Sequence, residues 1–511
     1  MTTEAAKKET SLTVRAAWVM LAKTFAFALA FALPLLLVRR LDQTEYGFYK
    51  QVFLLVDSAV FVLPLGFGLS AFYFLPREPE RAGQVVFNIL LFHFFVGAAA
   101  CLLLTLQPGL MAAILNNGEL TRLAPLVGVA ILLWVVSYFI ETIAVAHQDL
   151  KWAVAFIVGA RLTKSGLFIA VALLYPTVEA LIYAAIVQGT LQTLVMLVYL
   201  RSRFGAFWRG YEWSMMRRQL SYALPLGLSA VLFTMYAYLD NYFVSHRFGA
   251  AMYAIYAVGC FNIPLVPMLS DAVGQVMQPR VSYLQKYGTR REIVELTARM
   301  MRKLAFVYLP LFVFLLLFAR EFIVVLFTEQ YIESWPIFAI NLVLIPLGIM
   351  ASATDPVIRA FAEYRHYILK LRICMLLVFI VAVWSGVRAY GLVGAITAAV
   401  AVNVVERFIT AHKMARVLGV ERRDAVLLTD IGKIALASVA AGAAAHFARV
   451  LMSDARPFVS LALCGVVFAL VYLSAIVVTG MLTLDERQAI RERFEQLQRR
   501  TLWKRAADTL S

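Results

Sequence analysis

About fourteen apolar runs, each long enough to cross the roughly 30 Å hydrocarbon core of a bilayer as a helix, follow one another along this chain. They cover approximately 14–38, 49–74, 83–106, 121–146, 151–175, 177–200, 219–244, 251–278, 303–327, 334–358, 367–388, 390–412, 427–450 and 457–482. In lipid every backbone N–H and C=O has to be satisfied within the protein, so the runs read as helices and the expected fold is an all-α polytopic membrane protein. At about 22 residues each within the bilayer, fourteen spans need about 308 of the 511 residues, leaving roughly 14 per connecting or terminal segment. No folded soluble domain fits in connections of that length. Composition agrees: 62% of residues are hydrophobic and 15% charged, where a soluble domain is near half apolar and a quarter charged.

The net charge of +16 raises the question of nucleic acid, but its placement answers it. With both termini on one side, 33 of the 47 Lys and Arg residues fall in segments on that side and 9 on the other. This asymmetry predicts cytoplasmic termini and an even number of spans, with no nucleic-acid partner. The first run follows Lys7, Lys8 and Arg15, but it is too long for a signal-peptide core and lacks a small-x-small cleavage site, so it is expected to be the first span. After the last run, Thr483 and Glu486 have capping-box spacing, and Ile490, Phe494 and Leu497 share one helical face among arginines. The segment 483–511 is therefore expected to be an amphipathic helix on the anionic cytoplasmic leaflet. Cys101, Cys260, Cys374 and Cys464 lie in apolar runs without metal-ligand spacing and read as small buried hydrophobes.

A short pattern recurs. Arg40, Leu41, Tyr46 and Tyr49 are matched 207 residues later by Arg247, Phe248, Tyr253 and Tyr256, each set at the link between the first and second span of a six-helix half. The matched spans run in the same direction, which implies parallel repeats about an axis along the membrane normal. Helix breakers add punctuation. Pro64, Gly66 and Gly68 interrupt the second span, Pro225 and Gly227 open the seventh, Pro264 and Pro267 break the eighth, and Pro346 and Gly348 break the tenth. Broken helices at corresponding positions are used by alternating-access carriers to expose backbone polar groups to a cavity.

Catalytic patterns are missing. Gly159 to Ser165 lacks the glycine before lysine that a phosphate loop needs and lies mid-span, the six histidines are scattered, and neither HExxH nor GxSxG occurs. No catalytic residue, metal site or cofactor is expected. Ionisable residues at membrane depth stand out instead, because each costs about 2.5 to 3.5 kcal/mol at a helix centre and so faces a partner or a wet cavity. Lys23 lies in the first span, and Arg161 and Lys164, three apart on one helical face, lie in the fifth. Asp57, Glu141, Asp240, Asp271, Asp355, Glu406 and Arg407 also fall within spans. One reading pairs them structurally, for example Lys23 with Asp57. The other makes Lys23, Arg161 and Lys164 the anchor of an anionic group such as phosphate, with the acidic residues and Arg407 serving coupling or gating.

The segments Leu239–Val244, Phe248–Ala250, Tyr253, Tyr256–Ala257 and Gln278–Arg280, with Arg40–Asp42 and Glu45–Tyr49, resemble the bacterial polysaccharide and O-antigen (Wzx-type) flippases of the multidrug/oligosaccharidyl-lipid/polysaccharide exporter superfamily. The resemblance covers about 11–480. It implies two six-helix lobes related by a pseudo-two-fold axis, 1–210 and 211–416, two extra helices over 417–482, and about 14 transmembrane helices in all. It also implies translocation of an undecaprenyl-diphosphate-linked oligosaccharide across the bacterial inner membrane, in a setting of membrane lipids and a glycan polymerase or ligase complex. Of the depth-selected residues it singles out Asp240, together with Arg280. Arg161 and Lys164 are then expected to attract the diphosphate and Tyr236 and Tyr238 to line the sugar path. A cation-coupled drug or small-molecule antiporter of the same superfamily is the alternative, and export of a cationic dye discriminates it.

Overall fold

The structure is a computed structural model describing residues 28, 29, 31–209, 211–361, 364–452 and 456–481. Lys23 and the expected amphipathic segment 483–511 lie outside the described residues. Among these residues there is no strand. Ten helices are long and apolar enough to cross a membrane, eleven when the bent pair Trp213–Ser229 and Thr234–Gly259 is taken as one span.

The difference from fourteen has physical causes. Most of the first run is outside the described residues, and the span expected at 251–278 is interrupted at residues 260–264. The apolar helix Leu369–Leu418 is 50 residues long. At about 1.5 Å per residue it would reach more than twice the hydrocarbon thickness. It turns back on itself: Gly391 has a φ of 60°, and a Cβ on Gly394 would lie 1.9 Å from the Gly386 carbonyl oxygen. The same happens at Gly249, φ 75°, beyond which Tyr256 donates to Asp240, 16 residues back, at 2.7 Å. No continuous helix brings residues 16 apart into contact.

Helical residues 31–40 are followed by α1 (Gln43–Val62), α2 (Ser70–Arg77), α3 (Ala82–Leu106), α4 (Gly109–Leu115), α5 (Ala124–Ser137), α6 (Ile140–Ala146), α7 (Leu150–Leu174), α8 (Val178–Phe204) and α9 (Trp213–Gly259). Then come α10 (Leu265–Tyr287), α11 (Arg290–Leu317), α12 (Ala319–Phe327), α13 (Trp335–Asn341), α14 (Leu344–Ala360), α15 (Arg365–Leu418), α16 (Thr429–Leu451) and α17 (Pro457–Val478). The chain forms two compact units: residues 1–264, 326–341 and 365–406, and residues 265–325, 342–364 and 407–511.

In the first unit Asp42 caps α1 by accepting from the Glu45 amide at 2.7 Å. As expected, the chain breaks after Pro64, with Gly66 at φ 65°, and resumes as α2. Pro225 and Gly227 do not open a helix: α9 starts at Trp213 and carries Pro225 inside, with a bend of 50° between Ser229 and Thr234. The bend lies one to two turns beyond Pro225, whose own lost hydrogen bond falls on the turn before it. Helix α1 packs along α9 with Gly47 against Ala250, where a Cβ would come within 2.0 Å of the Ala250 carbonyl oxygen. Backbones approach this closely because lipid supplies no hydrophobic drive between helices, and small residues let dispersion contacts replace it.

A buried amide chain crosses the same unit. Asn88 donates to Gln219 at 2.9 Å, and Gln219 donates to the Ser70 hydroxyl and the Val85 carbonyl, both at 3.2 Å. Gln219→Leu strands the Asn88 amide and is expected to cost about 1–3 kcal/mol. Thermal unfolding of the detergent-solubilised protein measures it, and an unchanged midpoint contradicts the structural role.

In the second unit α10 packs on α14, α11 on α16, and α16 on α17. Thr289 and Glu292 form a capping box at the start of α11. Ion pairs tie the helix ends: Arg302 with Asp430 at 3.1 Å, Arg449 with Glu321, and Arg291 with Asp424. Of the cysteines, Cys464 is buried, Cys101 and Cys260 are half-buried, and Cys374 is exposed, contrary to the expectation that all four are buried. A small apolar side chain has no penalty facing lipid.

Candidate functional site

Two cations on one face of α7 have different surroundings. The Lys164 ammonium is half-buried and lies 4.2 Å from the centre of the Trp134 ring on α5, with Phe53 of α1 and Phe168 of α7 each at 6.0 Å. Among the described residues no carboxylate pairs with it. Ring faces attract an ammonium by about 0.5 to 2 kcal/mol but do not neutralise it. Lys164 therefore keeps its N–H donors available. Arg161, one turn earlier, is exposed, and its charge acts on Glu141 of α6, which is half-buried.

Asp57 on α1 is half-buried within electrostatic range of Tyr49, Tyr238 and Tyr242, and Ser58 beside it hydrogen-bonds the Tyr242 hydroxyl. Tyr238 and Glu141 both act electrostatically on Tyr138, whose ring meets Phe61 at 5.5 Å. The first unit thus connects Asp57, Tyr238, Tyr138, Glu141 and Arg161 across α1, α6, α7 and α9, with Lys164 one turn along α7 from Arg161. Tyr236 packs its ring on Phe379 at 4.7 Å. Asp240 is buried and fully occupied locally, accepting from Tyr256 at 2.7 Å and Asn241 at 3.1 Å.

The remaining expected residues are elsewhere. In the second unit Asp271 is exposed within range of Tyr308, and Arg280 is exposed, with its guanidinium 5.7 Å from the Tyr283 ring. Arg407 donates to both oxygens of Asp355, at 3.0 and 3.2 Å, each side chain about a quarter exposed. Glu406, half-buried, closes the last segment of the first unit. Alanine at Asp355 or at Arg407 is expected to cost about 1–3 kcal/mol after discounting for solvent, and the double variant less than the sum. Unfolding midpoints of the three variants check this; strict additivity means the pair carries no coupling.

A rim of side-chain to carbonyl bonds escaped sequence reasoning. Arg39 donates to the Leu326 carbonyl at 2.7 Å and Gln330 to the Val38 carbonyl at 2.9 Å. Their counterparts under the repeat are His246, whose Nδ1 is 3.2 Å from the Ile114 carbonyl, and Asn116, which donates to the His246 carbonyl at 2.9 Å. Each set meets a loop that opens on a positive-φ residue, Asn116 at 50° or Thr328 at 72°, and continues as a 3-10 helix, Gly118–Thr121 or Glu329–Ser334. Behind it Gln51, fully buried, donates to Ser245 at 2.9 Å and accepts from Asn117 at 2.8 Å. The 207-residue match marks one half of this arrangement; the loops carrying the other half share no residue pattern.

Residues 36–336 match the family described as polysaccharide biosynthesis protein. No curated protein matches the chain. Among solved structures, one described as the lipid II flippase MurJ in an inward closed conformation has a TM-score of 0.71 at 14% identity, covering 91% of this chain and 98% of that one. An inward-facing multidrug resistance MATE family transporter of the MOP superfamily gives 0.54 at 16% identity, covering 77% and 94%. A MOP superfamily transporter from Pyrococcus furiosus gives 0.53 at 16%, covering 78% and 93%. These likenesses show the fold: a multi-pass helical membrane protein built like transporters of that superfamily.

Proposed function

The chain belongs to the family of polysaccharide biosynthesis proteins, and from that premise we propose that it is a flippase for a lipid-linked glycan. It moves an undecaprenyl-diphosphate-linked oligosaccharide from the cytoplasmic to the outer leaflet of the bacterial inner membrane by alternating access, with both termini cytoplasmic and lobes 1–210 and 211–416 working about the repeat axis. The observation that carries this reading is Lys164: a cation at membrane depth, held by ring faces rather than by a carboxylate and one helical turn from Arg161. A charge that only has to stabilise the fold is paired, as Asp355 and Arg407 are. An unpaired cation suits a ligand that brings its own negative charge, and a diphosphate does so.

The polar string Asp57, Tyr238, Tyr138 and Glu141 then supplies hydroxyls and carboxylates of the kind that hydrogen-bond sugars. Deleting the protein from its source cell, followed by mass spectrometry of the extracted polyprenyl lipids, tests the reading. Accumulation of an oligosaccharide on a diphosphate carrier, with loss of the surface polymer, is expected. An unchanged lipid pool with intact surface glycan overturns it in favour of small-molecule antiport.

A further inference from the structure

In the first unit a cavity of about 670 Å³ opens between the end of α2 and the start of α9, away from Arg161 and Lys164 in sequence and on different helices. One wall is aromatic: Tyr73 and Tyr222 have ring centres 4.5 Å apart, and Trp213, largely exposed, also lines the cavity. The other feature is cationic. Arg217 and Arg218 line it, and the Arg77 guanidinium lies 3.8 Å from the centre of the Tyr73 ring. Arg218 is committed to Glu78, whereas Arg77 and Arg217 have no carboxylate partner among the described residues.

We propose that this cavity binds the sugar-diphosphate headgroup of a glycolipid before translocation, a loading site separate from Arg161 and Lys164. It rests on the flippase reading above. Arg77 and Arg217 present planar N–H donors to phosphate oxygens, a bidentate geometry that lysine lacks. The exposed Trp213 ring, beside the packed pair Tyr73 and Tyr222, offers stacking to the apolar face of a sugar ring, which a glycerol phospholipid does not possess. The volume lies within the range of small-molecule sites and admits a headgroup, leaving the lipid tail in the bilayer.

Trp213 is a built-in reporter. Protein in phosphatidylcholine nanodiscs is titrated with farnesyl-diphosphate-linked N-acetylglucosamine while tryptophan emission is followed, and the share of the change removed by Trp213→Phe is assigned to the cavity. A saturable Trp213 share is expected, retained in Arg161→Ala/Lys164→Ala, and moved to at least about tenfold higher concentration by Arg77→Ala/Arg217→Ala. Two results overturn the proposal: no Trp213 share while native mass spectrometry still shows the glycolipid on the wild-type protein, or an equal share produced by phosphatidylglycerol nanodiscs without glycolipid. If the wild-type protein retains no glycolipid at all, the flippase reading falls with it.

Discussion

Alanine in place of both Arg161 and Lys164 is expected to bring glycan export to background while leaving protein abundance in the membrane unchanged. A hydrogen bond to a charged group contributes about 1.5–3 kcal/mol, so losing two contacts to a diphosphate weakens its hold by roughly two to four powers of ten. The fold gives little reason for either side chain to be needed for stability: Arg161 is exposed, and Lys164 is held by ring faces. Lys164→Arg keeps the charge but enlarges the head that Trp134, Phe53 and Phe168 surround, so partial export is expected from it. Surface-polymer quantification beside an immunoblot reads both outcomes. Full export by the double variant removes these residues from substrate binding.

The second large effect is expected at the side-chain to carbonyl bonds of the rim, which the proposed orientation, with both termini cytoplasmic, puts on the outer side. Arg39→Ala combined with His246→Ala removes one side-chain to carbonyl bond from each repeat half. At about 1 kcal/mol each, the two losses shift the balance between closed and open rims by roughly thirtyfold. Ser245, buried behind these bonds, reports it. In a background without the four native cysteines, Ser245→Cys is expected to react with a membrane-impermeant maleimide added to cells about thirtyfold faster in the double variant. An unchanged rate means that the rim does not hold the outer side shut.

The class of fold was legible because lipid leaves the backbone so few options: long apolar runs have to be helices. Pro64 with Gly66 and Pro264 marked real breaks, whereas Pro225 lies inside a helix that bends beyond it, at 229–234, and whose start at Trp213 carries no strong sequence signal. Depth alone singled out Glu141, Arg161, Lys164 and Asp57, since an ionisable side chain in an apolar run is conspicuous. The surroundings of these groups were not legible. That Lys164 meets Trp134 while Arg407 meets Asp355 depends on which helices become neighbours, and the runs are apolar on every side, so no stripe reveals the facing partner. The amide chains through Asn88 and Gln51 were passed over for a related reason. An uncharged amide in an apolar run draws no notice until its partners are seen.

The ring-held lysine has an electrical consequence. In a flippase of the proposed kind, the empty site sets Lys164 and Arg161 against Asp57 and Glu141, and the diphosphate makes the loaded site the more negative of the two. With the cell interior negative, the membrane voltage pushes that negative charge outward, by up to about 2.3 kcal/mol for each elementary charge crossing 100 mV. Had a carboxylate taken up the Lys164 donors, the diphosphate would have to displace it before this force could act. Leaving the lysine to aromatic faces lets the resting voltage of the cell act on the loaded step, in the direction of export.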